Sequence, residues 1–408
     1  MSLIVQKFGG TSVATAQRVK GAAERVVALK KAGHDVVVVV SARGNTTDEL
    51  YDLAYEITPS PSARELDVLL ASGEQVSIAL MAMAIEALGF PAISFTAGQV
   101  GIVTDTSHTK AKILRIDATR MNRELEQGNI VIVAGFQGVT EDMDITTLGR
   151  GASDTTAVAI AAALGADMCE INTDVKGVFT ADPRVVPNAS PIERVSYDEM
   201  LELASLGAGV LHSRAVEVAK KFSVPLRVRS SFEDGPGTLV CEEVEEMEHI
   251  VVRGAAMDTT EAKLTLRGVP DKPGVAAQIL GSIAKKNVSV DMIVQNIGRE
   301  GKTDLSFTVK KSDLETALDE LNRIKEELGA EAAESDARIA KISVVGVGMR
   351  SHAGVAEKMF AALARENINI QMISTSEIKI SCVVGEDSAP RALEALHKTF
   401  ELDKQESG

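Results

Sequence analysis

The chain has no tryptophan among its 408 residues, and aromatic residues of every kind make up only 3% of it. Nucleic-acid bases would find few stacking platforms, and a net charge of −15 repels a phosphate backbone, so nucleic acid is excluded as a partner. The three cysteines, Cys169, Cys241 and Cys382, are odd in number, far apart and set in strand-like surroundings, which fits small core residues in a reducing compartment. Six histidines are scattered without ligand spacing, so neither a zinc site nor any metal held by protein ligands alone is expected. No run approaches the length of apolar residues that spans a bilayer, and Met1-Ser2-Leu3-Ile4-Val5 leads straight into a strand with no basic segment or cleavage site. The reading is a cytoplasmic protein with no membrane partner. What the chain has in quantity is apolar residues, 45% of the total, enough for two or three domain cores.

The densest chemistry lies between Gly149 and Arg184. Gly149-Arg150-Gly151-Ala152-Ser153-Asp154-Thr155-Thr156 is a small-residue loop whose Ser153 or Asp154 can cap the alanine-rich helix that follows. A helix start of that kind attracts phosphate or carboxylate; Arg150 adds a fixed fork of donors and Asp154 a carboxylate that can orient a lysine or a metal. The apolar run Met168 to Ile171 then reads as a buried strand emptying into Asn172-Thr173-Asp174 and Gly177-Val178-Phe179-Thr180-Ala181-Asp182-Pro183-Arg184. Polar groups at a strand's carboxyl end are where open α/β sheets bind ligands.

The amino-terminal segment repeats this logic. Residues 3–8 predict a strand, Gly9-Gly10-Thr11-Ser12 break it, and a helix is expected from about Ala16 to Ala32. The glycines let backbone amides approach a phosphate while Lys7 at the strand end reaches its oxygens, although the lysine precedes the glycines, unlike the usual P-loop order. Asp35 to Val40 predicts a central parallel strand ending in Ser41-Ala42-Arg43-Gly44-Asn45-Thr46-Thr47-Asp48. A helix over 48–57 follows, then a long helical region from Arg64 to Leu88 interrupted near Ser72-Gly73-Glu74, where Glu74 either faces a cavity or is a solvated cap residue. Strands near 91–95 and 130–134, a polar connection through His108 and a helix near 117–127 complete an α/β alternation. That alternation predicts a mostly parallel sheet covered by helices on both faces.

On Lys7-Phe8-Gly9-Gly10-Thr11-Ser12, Ser41-Ala42 with Thr46-Thr47-Asp48, Ser72-Gly73-Glu74, the 149–156 loop and Thr173-Asp174 with Thr180 to Arg184, the chain resembles the aspartate kinases of the amino-acid kinase family over essentially its whole length. The resemblance implies transfer of the γ-phosphoryl of ATP to the side-chain carboxylate of L-aspartate, giving 4-phosphoaspartate at the first step of lysine, threonine and methionine biosynthesis. Magnesium would be held mainly through the nucleotide phosphates. It assigns catalysis to Lys7, Asp154 and Arg150, and ATP to Lys7, Gly9, Gly10, Thr11, Thr173, Asp174, Phe179, Asp182 and Arg184. Aspartate would be held by Ser41, Thr47, Glu74, Arg150 and Ser153. The alternatives are a related kinase with another acceptor, or a catalytically impaired amino-acid sensor. Two departures stand out: Ala152 replaces a glycine usual in the family, and Gly209 stands where relatives commonly carry a basic residue, a charge that Arg214, Lys220 or Arg184 would have to replace unless turnover leans on Lys7 and magnesium.

Past the acidic run 242–248 the chain repeats itself with an offset of 80 residues: Gly274-Val275-Ala276 answers Gly354-Val355-Ala356, Asn287 answers Asn367, and Met292-Ile293 answers Met372-Ile373. Each copy resembles the ACT domain, a ferredoxin-like βαββαβ module that binds amino acids. The expected division is a catalytic domain over 1–241, a linker over 242–249, one ACT module over 262–336 and a second over 250–258 plus 337–408, with the first inserted in the second. This threading follows because the second copy lacks a last strand while His249 to Ala256 is an unclaimed one. By resemblance, L-lysine and/or L-threonine bind at Asp271, Ala276, Ser289, Val290, Asp291, Gln295, Ser351, Val355, Asn369 and Ile370. A homo-oligomer joined through the ACT modules is implied, as is a separately translated copy of that region as a partner.

Overall fold

The computed structural model describes residues 2–149, 151–206, 210–242, 251–296, 301–350, 352 and 354–404. Its amino-terminal part alternates as the periodicities predict: β1 (Leu3–Phe8), α1 (Ala16–Lys31), β2 (Asp35–Val40), α2 (Thr46–Ile57), α3 (Ala63–Glu86), β3 (Ala92–Phe95), β4 (Ile102–Thr104), β5 (Ile113–Ile116), α4 (Thr119–Glu126), β6 (Ile130–Ala134), β7 (Gln137–Val139), β8 (Ile145–Thr147) and α5 (Ser153–Leu164). It continues through β9 (Met168–Thr173), β10 (Arg194–Ser196), α6 (Tyr197–Ser205), α7 (Ser213–Phe222), β11 (Leu226–Ser230) and β12 (Thr238–Cys241). Eight strands form one sheet in the order β10-β12-β11-β9-β1-β2-β6-β3, parallel throughout except where β12 runs against β11. The valines of β2 are buried on both faces, as a central parallel strand requires. One face packs against α1 and α3 around Val26, Met81 and Ile132, and the other against α4, α5, α6 and α7 around Val158, Ile171 and Val216.

Three expectations need correction. The region 63–86 is one continuous helix, because the small residues Ser72 and Gly73 let it pass close to the end of β2 without leaving helical geometry; a Cβ on Gly73 would lie 2.9 Å from the Ala42 Cβ. This helix is also long and apolar enough by composition to cross a membrane, with a mean hydropathy of 1.7, yet it packs on α1, α2 and the sheet with Asp67 and Glu74 on its buried side. The polar connection around His108 holds the two short strands β4 and β5, which join β7 and β8 in a small second sheet in the order β5-β4-β7-β8.

The rest forms two sheets of four strands. β14 (Glu261–Pro270), α8 (Val275–Lys285), β15 (Val290–Gln295), β16 (Lys302–Lys310), α9 (Leu314–Leu328) and β17 (Ala332–Asp336) make one βαββαβ unit in the order β15-β16-β14-β17. The other comprises β18 (Ile339–Val345), α10 (Val355–Arg365), β19 (Met372–Thr375), β20 (Lys379–Gly385) and α11 (Ala389–Thr399), and its fourth strand is β13 (Gly254–Asp258), in the order β13-β18-β20-β19. β13 lies antiparallel to β18, Gly254 opposite Val345 and Asp258 opposite Lys341, and begins a few residues later than the sequence suggests. The internal repeat is visible in the backbone: Gly274 and Gly354 both start their helices at left-handed φ, +93° and +94°, and Asn287 and Asn367 end theirs at +59° and +54°. Between the sheets Lys341 is buried against Glu261 at 2.7 Å and also meets Asp291, while Met292, Ile339, Met372 and Val383 close the seam.

Candidate active site

The carboxyl ends of β1, β2, β6 and β9 converge on one edge of the large sheet, and the polar groups singled out above gather there. Lys7 lies one residue before the end of β1, in register with Val39 and Ile171, and its Nζ stands 2.7 Å from Asp154 Oδ1 on α5. Both side chains are about nine-tenths buried, a setting in which an unpaired charge would be costly, so each fixes the other. Asp154 Oδ2 takes the backbone N–H of His212 at 3.4 Å. The glycines earn their places by close approach: a Cβ on Gly9 would lie 3.3 Å from the Lys7 ammonium, and one on Gly10 only 2.8 Å from the Ala42 carbonyl. Thr11 begins the short turn after them, and its carbonyl accepts from Arg18 at 2.7 Å.

Glu74 comes to the same edge from α3. Its Oε1 accepts the Ala42 N–H at 3.0 Å, its Oε2 has no partner, and burial pushes its carboxyl up to about 7 against the pull of that backbone donor. A half-satisfied buried carboxylate awaits a cation. Ser41 and Thr47 bracket this position at the end of β2 and the start of α2, and Ser153 at the first turn of α5 packs on Gly135, where any Cβ would clash at 2.8 Å. The helix cap expected of Ser153 or Asp154 is not formed: both are already helical, Ala152 is the N-cap, and the Asp154 side chain is engaged with Lys7 and the His212 N–H instead. Ala152 sits at φ −79°, so the methyl group in place of hydrogen costs no strain there, while Gly149 and Gly151 hold left-handed φ of +93° and +75°. Arg150 and Gly209 lie outside the described residues.

Reasoning from sequence missed the brace under this loop. Asp67, fully buried on α3 and two turns before Glu74, accepts from the Thr109 N–H at 3.0 Å and the Thr147 hydroxyl at 2.6 Å, and pairs with His108 Nδ1 at 2.8 Å. It thereby ties the helix bearing Glu74 to the strand that leads into Gly149. Only the i, i+7 spacing of two carboxylates on an apolar helix hinted at it. Arg214 braces the same loop by donating to the carbonyls of Leu148 and Ala111 at 2.7 and 3.1 Å.

Beyond β9, most of the stretch from Thr173 to Arg184 lines a cavity of about 530 Å³, with Thr173, Asp174, Phe179 and Asp182 on its wall. Arg184 forks onto Asp182 at 3.0 and 2.7 Å, and this hydrogen bonding holds the Asp182 carboxyl below its usual range. Each of the three candidates for a replacement cation has a partner in the structure: Arg184 is engaged with Asp182, Arg214 with two carbonyls, and Lys220 with Asp198 at 2.6 Å. Among the described residues no cluster of three or more His, Cys, Asp or Glu is arranged to hold a metal ion.

In the first ββ module Asp271 is exposed at the loop before α8, its N–H bonded to the Gly301 carbonyl at 2.8 Å, and Ala276 lies in the first turn of that helix. Ser289 and Gln295 are exposed, Val290 half-buried. Asp291 is committed to Lys341; burial opposes its ionisation, but hydrogen bonding to that lysine holds the carboxyl low. Val355 is buried in the core of the second module, which leaves little of it for a ligand, whereas Asn369 is exposed and Ile370 half-buried. Ser351 lies outside the described residues.

Residues 2–230 match the amino acid kinase family, and residues 265–324 and 342–400 match the ACT domain. An aspartate kinase of Stutzerimonas stutzeri is 58% identical over 99% of this chain and 98% of its own. The structure of E. coli aspartokinase III in complex with aspartate and ADP, in the R-state, superposes with a TM-score of 0.82 at 27% identity, covering 97% of this chain and 99% of that one. The same enzyme with lysine and aspartate, in the T-state, gives 0.76 at 27% identity, with 98% and 99% covered.

Proposed function

The chain belongs to the amino acid kinase family, with aspartate kinases as relatives over its full length, and from that premise we propose how its residues divide the work of phosphorylating aspartate. The enzyme transfers the γ-phosphoryl group of ATP to the side-chain carboxylate of L-aspartate, giving 4-phosphoaspartate and ADP. The observation that carries the assignment of residues is the buried Lys7–Asp154 pair at 2.7 Å, beside Gly9, whose Cβ would press on the Lys7 ammonium at 3.3 Å, and Gly10, whose Cβ would meet the Ala42 carbonyl at 2.8 Å.

A carboxylate is already a nucleophile, so no general base is needed and the protein's task is positioning and charge neutralisation. Glu74 takes the substrate ammonium, a reading its unpartnered Oε2 supports, and Arg150 and Ser153 take the α-carboxylate, with Thr47 and Ser41 closing the pocket. The free carboxylate of the substrate then attacks the γ-phosphorus in line; a new P–O bond forms as the bond to the β-phosphate oxygen breaks, and ADP leaves. Lys7, oriented by Asp154, and the amides of Gly9 and Gly10 neutralise the charge gathering on the transferred group. Thr173, Asp174, Phe179, Asp182 and Arg184 hold the nucleotide, with Thr11 at the phosphate turn. The donor set suits magnesium carried in on the phosphates: Asp154 is the one carboxylate at this turn, and it is already paired with Lys7. The ion would neutralise phosphate charge. With Arg214 and Lys220 engaged elsewhere and Arg184 assigned to the nucleotide beside Asp182, the neutralisation that Gly209 cannot give falls to Lys7 and that ion.

The domains we propose are a catalytic unit over 1–241, a linker over 242–249 and two ACT modules, the first, 262–336, inserted in the second, 250–258 plus 337–408; the pairing of β13 with β18 supports this. Lysine and/or threonine act as feedback effectors through the loops at Asp271 and Ser351, and the modules join subunits of a homo-oligomer, with a separate copy of the ACT region as a further partner. The decisive experiment is a panel of acceptors assayed for ADP release: aspartate alone should support turnover. Release with glutamate or acetylglutamate and none with aspartate would overturn the substrate, and effector binding without turnover would favour a sensor.

A further inference from the structure

The cavity assigned to the nucleotide has a wall that the catalytic unit does not supply. Opposite Phe179 and Asp182 it is lined by Ala255, Ala256 and Met257 of β13, the edge strand of the second ACT sheet. β13 pairs with β18 along one edge, and on its other side the Ala255 N–H donates to the Thr180 carbonyl at 2.8 Å. Gly254 is held to this spot, since a Cβ there would lie 3.1 Å from the same carbonyl. Ala181 and Val186, which flank Asp182-Pro183-Arg184, are buried in one apolar cluster with Ala255, Ile342, Leu393 and Leu396 of the second module.

The Thr180 side chain completes this attachment. It is fully buried, and its Oγ1 accepts the Ser190 N–H at 3.0 Å. The same hydroxyl shares a hydrogen bond with His397 Nε2 on α11, 3.0 Å away and itself 1% exposed. Ser190 adds a bond from its hydroxyl to the Asp403 carbonyl at 3.1 Å.

We propose that His397 is a positioning residue for phosphoryl transfer, acting through Thr180 to hold the 177–186 loop in its nucleotide-binding form, so that part of the ATP site is built by the second ACT module. The inference rests on the assignment of this loop to the nucleotide. It also names a route for regulation: an effector that shifts α11 or β13 relative to the catalytic unit acts on nucleotide affinity through this bond.

The test uses the full-length enzyme, with steady-state kinetics in both substrates and calorimetric titration with ADP. Thr180→Val removes the hydroxyl at nearly constant volume, and His397→Leu removes its imidazole partner. Each should raise the KM for ATP and the Kd for ADP about three- to tenfold, the range of one buried hydrogen bond, and leave the KM for aspartate unchanged. His397→Gln, whose side-chain amide can either accept from or donate to the Thr180 hydroxyl, should recover most of the loss, and the double variant should be no weaker than the worse single one. ADP affinity within about twofold of wild type in a folded Thr180→Val enzyme, or equal rises in both KM values, would overturn the proposal. Phe179→Ala and Asp182→Ala separate it from its premise. If they too leave ADP binding unchanged, the loop is not the nucleotide site at all; if they weaken it while Thr180→Val does not, only the role of His397 fails.

Discussion

Replacing Glu74 by glutamine should weaken aspartate binding and stabilise the free enzyme at once. Burial lifts this carboxyl from 4.5 to about 7, a rise of about 2.5 units, and at roughly 1.4 kcal/mol per unit the ionised group costs the fold up to about 3 kcal/mol. The sign follows from linkage: a folded-state pKa raised above the unfolded one contributes stability that is fully present below about pH 4.5 and lost as the pH rises through about 7. The wild-type enzyme should therefore lose stability across that window, and Glu74→Gln, which cannot ionise, should not. Glutamine can still accept the Ala42 N–H through its carbonyl, so the local geometry survives. What is lost is the charge that meets the substrate ammonium, a charge-assisted bond in a dry site of about 1.5–3 kcal/mol, or roughly ten- to a hundredfold in the KM for aspartate. In the wild type that KM should also fall as the pH rises through about 7, where Glu74 ionises in the free enzyme, and the variant should lack this dependence. Denaturant titrations and steady-state kinetics at several pH values read both effects. A KM for aspartate within about twofold of wild type, with the pH dependence intact, would refute the assignment of Glu74 to the substrate.

Lys7→Ala should lower kcat by at least about a hundredfold without unfolding the enzyme, since it removes the cation beside the transferred group; more than about a tenth of wild-type kcat, measured by coupled ADP release, would take Lys7 out of the mechanism. Asp67→Asn places an amide N–H2 against the Thr109 and Thr147 donors; it should cost about 2–4 kcal/mol of stability and raise the KM for aspartate while sparing that for ATP, and equal change in both would deny the brace its selectivity. Asp271→Ala should relieve feedback inhibition by lysine or threonine and leave the uninhibited rate alone, as dose–response curves at fixed substrate will show; unchanged inhibition places the effector elsewhere.

The periodicities disclosed the large sheet well, because β1, β2, β6 and β9 are short, mainly apolar runs that empty into polar or small-residue loops; the exceptions inside the sheet, Gln6 of β1 and Glu170 of β9, satisfy each other at 2.8 Å. Glu74 was legible as a carboxylate among small residues, but the small residues were taken for a break. Gly73 permits close packing within a helix as readily as it ends one, and a sequence does not say which surface a helix approaches. Asp67 was invisible for a related reason, since its partners Thr109 and Thr147 are distant in the chain and are brought to it by β4, β5, β7 and β8, too short to show alternation. The repeat exposed both ACT modules at once. That β13 belongs to the second of them could be argued only from a missing strand, while the contact of that module with the 177–186 loop, through Thr180 and His397, lay beyond any pattern because it joins residues 217 apart.

The central claim is that the site around Lys7, Asp154 and Glu74 makes an acyl phosphate on aspartate. Trapping that product with hydroxylamine tests it most directly. Wild-type enzyme with ATP, magnesium and aspartate should form aspartyl hydroxamate in step with ADP release, and both should vanish together in Lys7→Ala and fall together at low aspartate in Glu74→Gln. ADP release without hydroxamate, or hydroxamate undiminished in Lys7→Ala, would contradict the account.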